Sequence, residues 1–352
     1  MMNNILITGG AGFIGVNAAR KFLNNKFKVI LIDNFSRKGT KQNIKILLNE
    51  ISTKKQNLKI INVDIRNFTK TSNIIKKYKP NLILHLAAQV AVTTSILNPR
   101  DDMERNIIGS FNLLESCRLH SIKSLLIYSS TNKVYGKINK KLKINKTRYL
   151  VNKEHATDEK QSLDFYSPYG CSKGAADQYF HDYNRIYGLN TIVLRQSCIY
   201  GENQFGVEDQ GWVAWFIIAF ILKKKLTIYG NGKQVRDLLY IGDLTDLYLK
   251  LYQNRKKCSG KIYNIGGGLK NALSLLELIN ILKKRYNLNT KIKFDKKARD
   301  GDQPIFISNN NKIKKDINWE PKVNIQKGLN KIEKWTQDNI KQETMYESKP
   351  KF

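Results

Sequence analysis

The sequence predicts an α/β protein built on a doubly wound parallel sheet, with a smaller lobe on its C-terminal side. Three observations support this fold class. Short, continuously apolar runs alternate with longer stretches of helical character, a glycine-rich turn follows the first apolar run, and 352 residues exceed what a single core usually needs. Continuously apolar strands are typical of parallel sheets, because helices cover both faces of such a sheet.

The individual elements follow from the apolar periodicity in chain order. The apolar run 212–222 is too short to cross a bilayer, so it is predicted as a buried helix. The runs predicted as strands of the parallel sheet are 5–8, 29–32, 59–63, 82–86, 125–128 and 191–194. The stretches predicted as helices between and after them are 12–24, 103–119, 173–186 and 274–285.

The pattern loosens after Gly201, where turn residues at 230–232 and 266–268 punctuate the chain. The charged insertion 137–160 gives no readable periodicity. We therefore predict a large domain of 1–198 plus about 238–266, a smaller lobe of about 199–237 plus 267–340, and a polar tail at 341–352.

Composition limits the function classes. The net charge is +32, from 61 Lys and Arg against 29 Asp and Glu, but lysine occurs throughout together with Asn and Ile. This favours a basic solvated surface over a dedicated nucleic-acid patch. The spacing of the cysteines fits neither a metal site nor a disulfide framework, and the N-terminus shows no signal peptide, so a reducing cytoplasm is expected; the cysteines are Cys117, Cys171, Cys198 and Cys258.

The glycine-rich turn indicates a dinucleotide site. Gly9, Gly12 and Gly15 form G-x-x-G-x-x-G between the first predicted strand and the first predicted helix. Without a Cβ, the backbone can approach a pyrophosphate, and the free N–H groups of the helix end favour that anion. Asp33 ends the second strand, where a carboxylate can accept from both adenosine ribose hydroxyls and would repel a 2′-phosphate. NAD is therefore favoured over NADP, although the positive charges of Arg37 and Lys38 weakly favour NADP.

A candidate catalytic group lies further along the chain. Tyr169 and Lys173 are four residues apart, which places their side chains on one face of a helix. An ammonium beside the phenol favours the phenolate, so the tyrosine could exchange a proton with a sugar hydroxyl during hydride transfer. The hydroxyl run Ser129-Ser130-Thr131 follows a predicted strand and could bond the reacting oxygen.

Together, the glycine turn, Asp33, the run 85–88 (His-Leu-Ala-Ala), the hydroxyl run 129–131 and the Tyr/Lys pair resemble the extended short-chain dehydrogenase/reductases, the family of NAD-dependent sugar-nucleotide epimerases and dehydratases. The resemblance covers nearly the whole chain. It implies that Thr131, Tyr169 and Lys173 form the catalytic triad, with Tyr169 as acid/base. It also implies an NAD-binding Rossmann domain and a nucleotide-sugar-binding lobe.

The resemblance and the motif context assign two sets of contacts. Tightly bound NAD, regenerated at each turnover, is expected to contact Gly9, Gly12, Phe13, Ile14, Gly15, Asp33, Asn34, Arg37, Asp64, Ile65, Leu86, Ala87, Ala88, Gln89, Asn106, Ser129, Tyr169, Lys173 and Gln196. The substrate is expected to contact Thr93, Thr94, Ser95, Asn132, Lys133, Cys198, Gln204, Phe205, Gln210, Gln234, Arg236, Arg299 and Asp302.

Longer strings resemble the branch of this family that epimerises a CDP-linked dideoxyhexose at C2. They are 92–95, 130–136, 167–178, 204–216 (QFGVEDQGWVAWF) and 232–237. One departure is Asn203, where that branch leads us to expect Arg. In the dehydratases an Asp-Glu pair follows the catalytic hydroxyl residue, and here the position holds Asn132-Lys133, which disfavours dehydration.

Two alternatives stay open. The first is a 4-epimerase, reductase or dehydratase acting on another nucleotide sugar, because the triad does not separate these reactions. The second is a catalytically silent Rossmann protein with a binding or regulatory role. The expected partners are a CDP-sugar or other nucleotide sugar and, by resemblance, further copies of the chain, with no specific nucleic acid and no membrane insertion. A role in supplying O-antigen lipopolysaccharide follows from the family alone.

Overall fold

The computed structural model describes residues 2–137, 142–286, 292–299 and 301–340. Its strands are β1 (Asn4–Thr8), β2 (Lys28–Asp33), β3 (Leu58–Asn62), β4 (Leu82–His85), β5 (Leu125–Thr131), β6 (Ala156–Thr157), β7 (Asn190–Gln196), β8 (Cys198–Tyr200), β9 (Leu226–Tyr229), β10 (Val235–Tyr240), β11 (Ile262–Ile265), β12 (Ala272–Ser274), β13 (Ile292–Asp295) and β14 (Ile305–Ser308).

Its α-helices are α1 (Phe13–Asn24), α2 (Thr40–Glu50), α3 (Phe68–Tyr78), α4 (Val92–Leu97), α5 (Pro99–Met103), α6 (Gly109–His120), α7 (Pro168–Tyr187), α8 (Trp212–Ile221), α9 (Ile241–Gln253), α10 (Arg255–Cys258), α11 (Leu275–Tyr286), α12 (Asn311–Ile317) and α13 (Ile325–Asn339). A π-helical turn, Glu104–Ile108, joins α5 to α6.

A seven-stranded parallel sheet forms the large domain, with strand order β3-β2-β1-β4-β5-β7-β11. Its interior strand β1 is inaccessible at Ile5, Leu6 and Ile7, as expected for a strand covered by helices on both faces. The order reverses at β1, between β2 and β4, and the carboxyl ends of parallel strands open a crevice at such a point. The predicted fold class is confirmed, and each predicted strand lies within a few residues of an observed one.

The helix α7 shows how local sequence sets an element. Ser167 precedes it, and its hydroxyl accepts from the Gly170 N–H at 3.0 Å, while Pro168 occupies the first helical position. At the other end, Gly188 takes a left-handed conformation with φ of 68° and closes the helix. These signals fix the start of α7 one residue before Tyr169.

A second sheet belongs to the smaller lobe. Its order is β12-β10-β14-β6, and β8 pairs with the carboxyl end of β10. Because β8 follows β7 after one residue, this pairing joins the second sheet to the substrate side of the first. Separately, β9 and β13 form a two-stranded parallel ribbon.

The charged insertion belongs partly to this lobe. Its short strand β6 pairs with β14, and Tyr149 and Val151 pack beside a buried cluster that contains Val235 and Ile305. The sequence analysis had placed these residues with 1–198, because the surrounding charges hide the few apolar positions that pack. The rest of the predicted domain division stays a prediction.

The predicted helix 103–119 is interrupted. The π-helical turn, with the buried Asn106 inside it, separates α5 from α6, although the apolar periodicity runs through both. The predicted buried helix 212–222 is confirmed as α8. In the part of the chain that the structure describes, no helix has both the length and the hydropathy needed to span a membrane.

Candidate active site

The glycine turn forms a close-packed cradle between β1 and α1. Gly9 has φ of 67°, and a Cβ at this position would lie 2.7 Å from the Ala87 backbone nitrogen. A Cβ on Gly15 would lie 2.5 Å from the Gly9 carbonyl oxygen. No side chain caps the N-terminus of α1, and its first turn contains no acidic residue. The free N–H groups of this helix end therefore face an open cleft suited to a phosphate.

Asp33 lies beside this cradle at the end of β2. Its carboxylate accepts hydrogen bonds from the Ala11 N–H at 3.0 Å and the Phe35 N–H at 2.8 Å. Burial raises the pKa of Asp33, and these two N–H groups and the Arg37 cation act against that rise. Asp64, on the far side of the cleft, bonds Asn34 at 2.8 Å, and hydrogen bonds from Arg66 lower the pKa of Asp64. The cleft thus presents fixed acceptors where a ribose and an adenine would lie.

The structure brings most predicted cofactor residues to one place. The residues that line this cleft are Gly9, Gly12, Phe13, Ile14, Gly15, Asp33, Asn34, Arg37, Asp64, Ile65, Leu86, Ala87 and Ala88. A second cavity adjoins it and shares Phe13, Ile14, Leu86 and Ala88, and the predicted residues Ser129, Tyr169, Lys173 and Gln196 line that cavity. Gln89 and Asn106 line neither, since the Asn106 amide bonds the Gln89 backbone and the Gln89 amide bonds the Ala91 backbone and Asp102.

The three predicted catalytic residues meet in the second cavity, which adjoins the cofactor cleft. Thr131 ends β5, and its hydroxyl is hydrogen-bonded to the Tyr169 phenol. The Lys173 ammonium donates to the Ser129 carbonyl at 2.6 Å and lies 4.3 Å from the centre of the Tyr128 ring. The backbone N–H of Tyr169 donates to the Ser95 hydroxyl at 3.1 Å, which ties the start of α7 to α4.

Burial dominates the ionisation of this group. It raises the pKa of Tyr169 to about 12, and the bond from Thr131 acts in the opposite direction. It lowers the pKa of Lys173 to about 7. A cationic nicotinamide beside the phenol would favour the phenolate, because opposite charges close together stabilise each other in a site of low dielectric. The arrangement can move a proton to and from a hydroxyl group in the second cavity.

A buried ion pair that the sequence analysis did not identify supports the hydroxyl run. Asp177, on α7, bonds Arg195, on β7, at 2.9 Å, and both side chains are almost inaccessible. The Ser130 hydroxyl donates to Asp177 at 2.7 Å, and Arg195 donates to the Tyr135 hydroxyl at 3.0 Å. This network fixes the chain on both sides of Thr131. Its only sequence signal was two isolated charges in apolar surroundings, which do not reveal that they pair.

The second cavity gathers most predicted substrate residues. Those that line it are Thr93, Asn132, Lys133, Cys198, Gln204, Gln210, Gln234, Arg236, Arg299 and Asp302. Phe205 lines the cofactor cleft instead, since its ring packs edge-on to Trp335 and lies over Gly39. Thr94 and Ser95 line neither cavity: Ser95 is buried and its hydroxyl donates to the Val92 carbonyl at 2.7 Å.

One cluster in this cavity combines cations with a carboxylate. Arg236 bonds Asp302 at 2.7 Å, and Gln234 donates to the same carboxylate at 3.3 Å. The Lys133 ammonium donates to the Gly301 carbonyl at 3.0 Å, and burial and the Arg236 charge lower the pKa of Lys133 to about 8. Burial would raise the pKa of Asp302, but the two cations outweigh burial and lower it. Arg236 and Lys133 therefore provide two cationic groups that could bind a diphosphate.

A second cluster lies at the outer end of the same cavity. The Arg299 guanidinium lies 4.3 Å from the centre of the Tyr229 ring and donates to the Glu208 carbonyl at 2.9 Å. Trp212 and Phe216 of α8 also line the cavity. The sequence analysis quoted their string but named neither as a contact, nor Tyr229. Burial raises the pKa of the Cys198 thiol to about 12, so this side chain lines the cavity as a neutral thiol.

Several buried polar atoms at these cavities have no hydrogen-bond partner within the described residues. They are Asn43 Oδ1, Thr93 Oγ1, Asn203 Nδ2, Gln204 Oε1, Gln234 Oε1 and Arg299 Nε. Unpartnered buried polar atoms are rare in folded proteins, so they indicate groups that a ligand would satisfy. Asn203, the position where Arg was expected, has φ of 67°, and its amide oxygen accepts from Arg20 at 3.2 Å. No cluster of side chains suited to a metal occurs among the described residues.

Comparison with known proteins covers the chain from β1 to α13. The profile of the family described as GDP-mannose 4,6 dehydratase matches residues 6–332. CDP-paratose 2-epimerase of Salmonella typhi is 45% identical over 339 residues, which are 94% of this chain and 98% of the relative. The structure of UDP-glucose 4-epimerase from Thermotoga maritima with UDP-glucose is 29% identical, covers 96% of this chain and 100% of its own, and gives a TM-score of 0.81.

A structure with a bound dinucleotide is similar to the same extent. UDP-glucuronic acid 4-epimerase from Bacillus cereus, in complex with UDP-glucuronic acid and NAD, is 27% identical and gives a TM-score of 0.81. The match covers 95% of this chain and 99% of that one.

Proposed function

We propose, from the premise that this chain belongs to the GDP-mannose 4,6-dehydratase family of nucleotide-sugar epimerases and dehydratases, that it converts CDP-paratose into CDP-tyvelose by NAD-dependent inversion at C2. One observation carries the proposal. A chain 45% identical to a CDP-paratose 2-epimerase over nearly its full length brings Thr131, Tyr169 and Lys173 together in the cavity that adjoins the cofactor cleft.

The residues beside Thr131 argue against dehydration. Expelling water from a sugar needs an acid and a base at the site. Here the two positions are Asn132 and Lys133, which have no carboxylate. The Asn132 amide bonds Gln303 at 3.0 Å, and the Lys133 ammonium donates to the Gly301 carbonyl. Asp302, an acid that lines the same cavity, is paired with Arg236. A 4,6-dehydratase is thus less favoured than an epimerase.

The cofactor cleft fits NAD. The cradle at Gly9 and Gly15 admits backbone approach that a Cβ would block, and the uncapped end of α1 suits a pyrophosphate. Asn43 Oδ1 and Asn203 Nδ2 are buried atoms of the cleft without partners in the described chain. The Asp33 carboxylate favours free ribose hydroxyls and disfavours a 2′-phosphate, so NAD fits better than NADP.

The chain's own residues then handle the proton. Tyr169 takes the proton of the C2 hydroxyl and later returns it, while Thr131 donates a hydrogen bond to the reacting oxygen and the Lys173 ammonium stabilises the phenolate. When bound, NAD supplies a reversible hydride acceptor, so that C2 can be oxidised and then reduced on its opposite face with NAD regenerated.

The chemistry of the sugar favours oxidation at C2 itself. A ketone acidifies only the carbons next to it, so a C4 ketone would leave the C2 hydrogen unreactive. Paratose has no hydroxyl at C3, which removes the other neighbouring position for a ketone. Inversion at C2 therefore requires a ketone at C2, and the site needs only one proton-transfer residue for it.

A second copy of the chain is the partner that the surface favours. Exposed apolar residues lie along α6 and α7, and the Phe111 and Tyr179 rings contact each other there at 5.8 Å. Such a continuous apolar face suits an isologous contact between two copies. The exposed residues of this face are Ile108, Phe111, Leu119, Tyr179, Ile186 and Tyr187.

The cellular setting follows from the same proposal. The four cysteines are free thiols, which suits the reducing cytoplasm. The product would be a precursor for O-antigen lipopolysaccharide. The net charge of +32 is assigned to a basic solvated surface and to attraction of an anionic substrate, with no specific nucleic-acid partner.

The test is incubation of the NAD-bound protein with CDP-paratose in heavy water, followed by NMR of the sugar. The expected product is the C2 epimer without deuterium at C2, because the hydride never exchanges with solvent. Deuterium at C2 would show that a proton, not a hydride, leaves that carbon. Absence of turnover with NAD bound would remove the substrate assignment and leave the family.

Two alternatives have distinct outcomes in the same assay. A 4-epimerase or reductase would leave CDP-paratose unchanged and act on another nucleotide sugar. A catalytically silent binding protein would convert none of them, but the intact triad in the second cavity counts against it.

A further inference from the structure

Asp102 is a buried carboxylate that lies directly behind α7, the helix that carries Tyr169 and Lys173. It lies on α5, its side chain is inaccessible to solvent, and it lines neither cavity. The Ser172 hydroxyl donates to one carboxylate oxygen, and the Gln89 amide donates to the other at 2.9 Å. The Asn106 amide lies 3.3 Å from that second oxygen. Ser172 stands between Tyr169 and Lys173 in the sequence of α7, so Asp102 holds the segment that carries both.

The bonds around Asp102 are those of an ionised carboxylate. The Gln89 amide oxygen accepts from the Ala91 N–H at 2.6 Å, and the Asn106 amide oxygen accepts from the Gln89 N–H at 2.8 Å. These backbone contacts fix both amides with their NH2 groups towards Asp102. Burial raises the pKa of Asp102, and the hydrogen bonds donated by Ser172 and Gln89 act against that rise and favour the charged form.

This negative charge has no paired cation in the described part of the chain. Its neighbour Asp101 lies within ion-pair distance of Arg66 and Arg105, and the other buried carboxylate near the site, Asp177, is paired with Arg195. The Lys173 ammonium is the buried cation on the adjoining helix, and the charges of Asp102 and Lys173 act on each other.

Among the described residues, few other titratable groups face Asp102 and Lys173. His85 is buried between Thr8 and Ser110, and burial lowers its pKa to about 3, so it is neutral. The remaining groups that act on Tyr169 or Lys173 are Asp177 on α7, Tyr128 on β5, and Arg37 after β2.

We propose that Asp102 is a positioning residue that orients Tyr169 and Lys173 through Ser172 and, together with Asp177, supplies buried negative charge beside the Lys173 ammonium. The inference rests on the proposed oxidoreductive role of Tyr169. It also explains Gln89 and Asn106, which were expected at the cofactor and instead hold Asp102. Asn106 lies in the π-helical turn, four residues after Asp102.

The proposal fixes the direction of a pH effect. Loss of a buried negative charge favours the deprotonated form of each nearby group, since the phenolate is repelled less and the ammonium is stabilised less. The pKa values of Tyr169 and Lys173 should therefore both fall, and both limbs of the activity profile should move to lower pH. A shift on the order of one pH unit is expected for a charge at this range.

The experiment compares Asp102→Asn with Asp101→Asn, which removes the same charge from the adjacent residue of α5. Two readouts are taken on NAD-bound protein: the pH profile of kcat with CDP-paratose, and the ultraviolet titration of tyrosinate with the Tyr169→Phe signal subtracted. We expect Asp102→Asn to move both profiles to lower pH and Asp101→Asn to leave them at the wild-type position. Coincident profiles for the two variants would overturn the role of the charge.

Ser172→Ala separates positioning from charge and serves if Asp102→Asn does not fold. This variant keeps the carboxylate, so the limbs should stay in place while kcat falls about tenfold and KM is unchanged. Wild-type kcat in Ser172→Ala would overturn the positioning role. If no variant and no wild-type protein converts CDP-paratose, the proposed function fails, but the tyrosinate titration needs only NAD and still decides the role of Asp102.

Discussion

Tyr169 is the residue on which the proposed chemistry depends most directly. Tyr169→Phe removes the hydroxyl that Thr131 bonds and keeps a ring of the same shape in the buried site. We expect kcat to fall at least about a hundredfold, the usual contribution of a positioned acid/base, with NAD still bound. Turnover by NMR and the absorbance of the bound dinucleotide measure the two effects.

The control for this variant is Tyr166→Phe, an exposed tyrosine just before the same helix. It should retain wild-type turnover. A fully active Tyr169→Phe protein would show that another group moves the proton.

A substitution at Asp33 tests whether NAD and the CDP-sugar bind in different cavities. Asp33→Ala removes the acceptor of the Ala11 and Phe35 N–H groups and the expected partner of the ribose. We expect the Kd of NAD to rise about tenfold or more, because the variant loses a hydrogen bond to a charged group. Calorimetry with each ligand should show that the CDP-sugar Kd changes far less, and equal losses for both ligands would contradict the ribose role.

At the scale of elements, the start of α7 is important for turnover, because its first turn carries Tyr169. Ser167→Ala removes the cap that bonds the Gly170 N–H and should lower the free energy of unfolding by about 1 kcal/mol. Because the frayed turn includes the acid/base, kcat should fall as well. Thermal unfolding and turnover are measured on the same preparation.

A matched variant exists on a helix far from the chemistry. Asn324 caps α13 by accepting from the Lys327 N–H at 2.9 Å, so Asn324→Ala should cost similar stability. Its kcat should match the wild type. If both variants lose stability but neither loses turnover, the start of α7 tolerates fraying and the positioning argument fails.

Elements also show where local pattern was informative. The apolar runs of β1, β2, β4 and β5 were predicted because a strand buried on both faces has no polar positions to blur the signal. The two-residue β6 and three-residue β8 were not, since so few residues show no period. The π-helical turn was also missed, because its residues keep the apolar pattern of the helices around it.

At the scale of the whole molecule, the apolar face of α6 and α7 implies self-association. Ile186 is 65% exposed on α7, and Ile186→Lys would place a charge in the proposed contact between copies. We expect this variant to shift the protein from a dimer to a monomer. Sedimentation or light scattering over a range of concentrations measures the change.

The matched control is Phe294→Lys, an exposed apolar residue of β13 that lies outside this face. It should leave the oligomeric state unchanged. If Ile186→Lys and wild type have the same mass in solution, the apolar face is not the contact between copies.

The sequence by itself determined the fold class, the glycine cradle, Asp33 and the pair Tyr169/Lys173. Each of these depends on spacing along one strand or helix, which local periodicity preserves. Only the tertiary structure decided that Gln89 and Asn106 hold Asp102, that Asp177 pairs with Arg195, and that Phe205 faces the cofactor cleft. These contacts join residues far apart in the chain, and the burial that gives them their energy exists only after the elements pack.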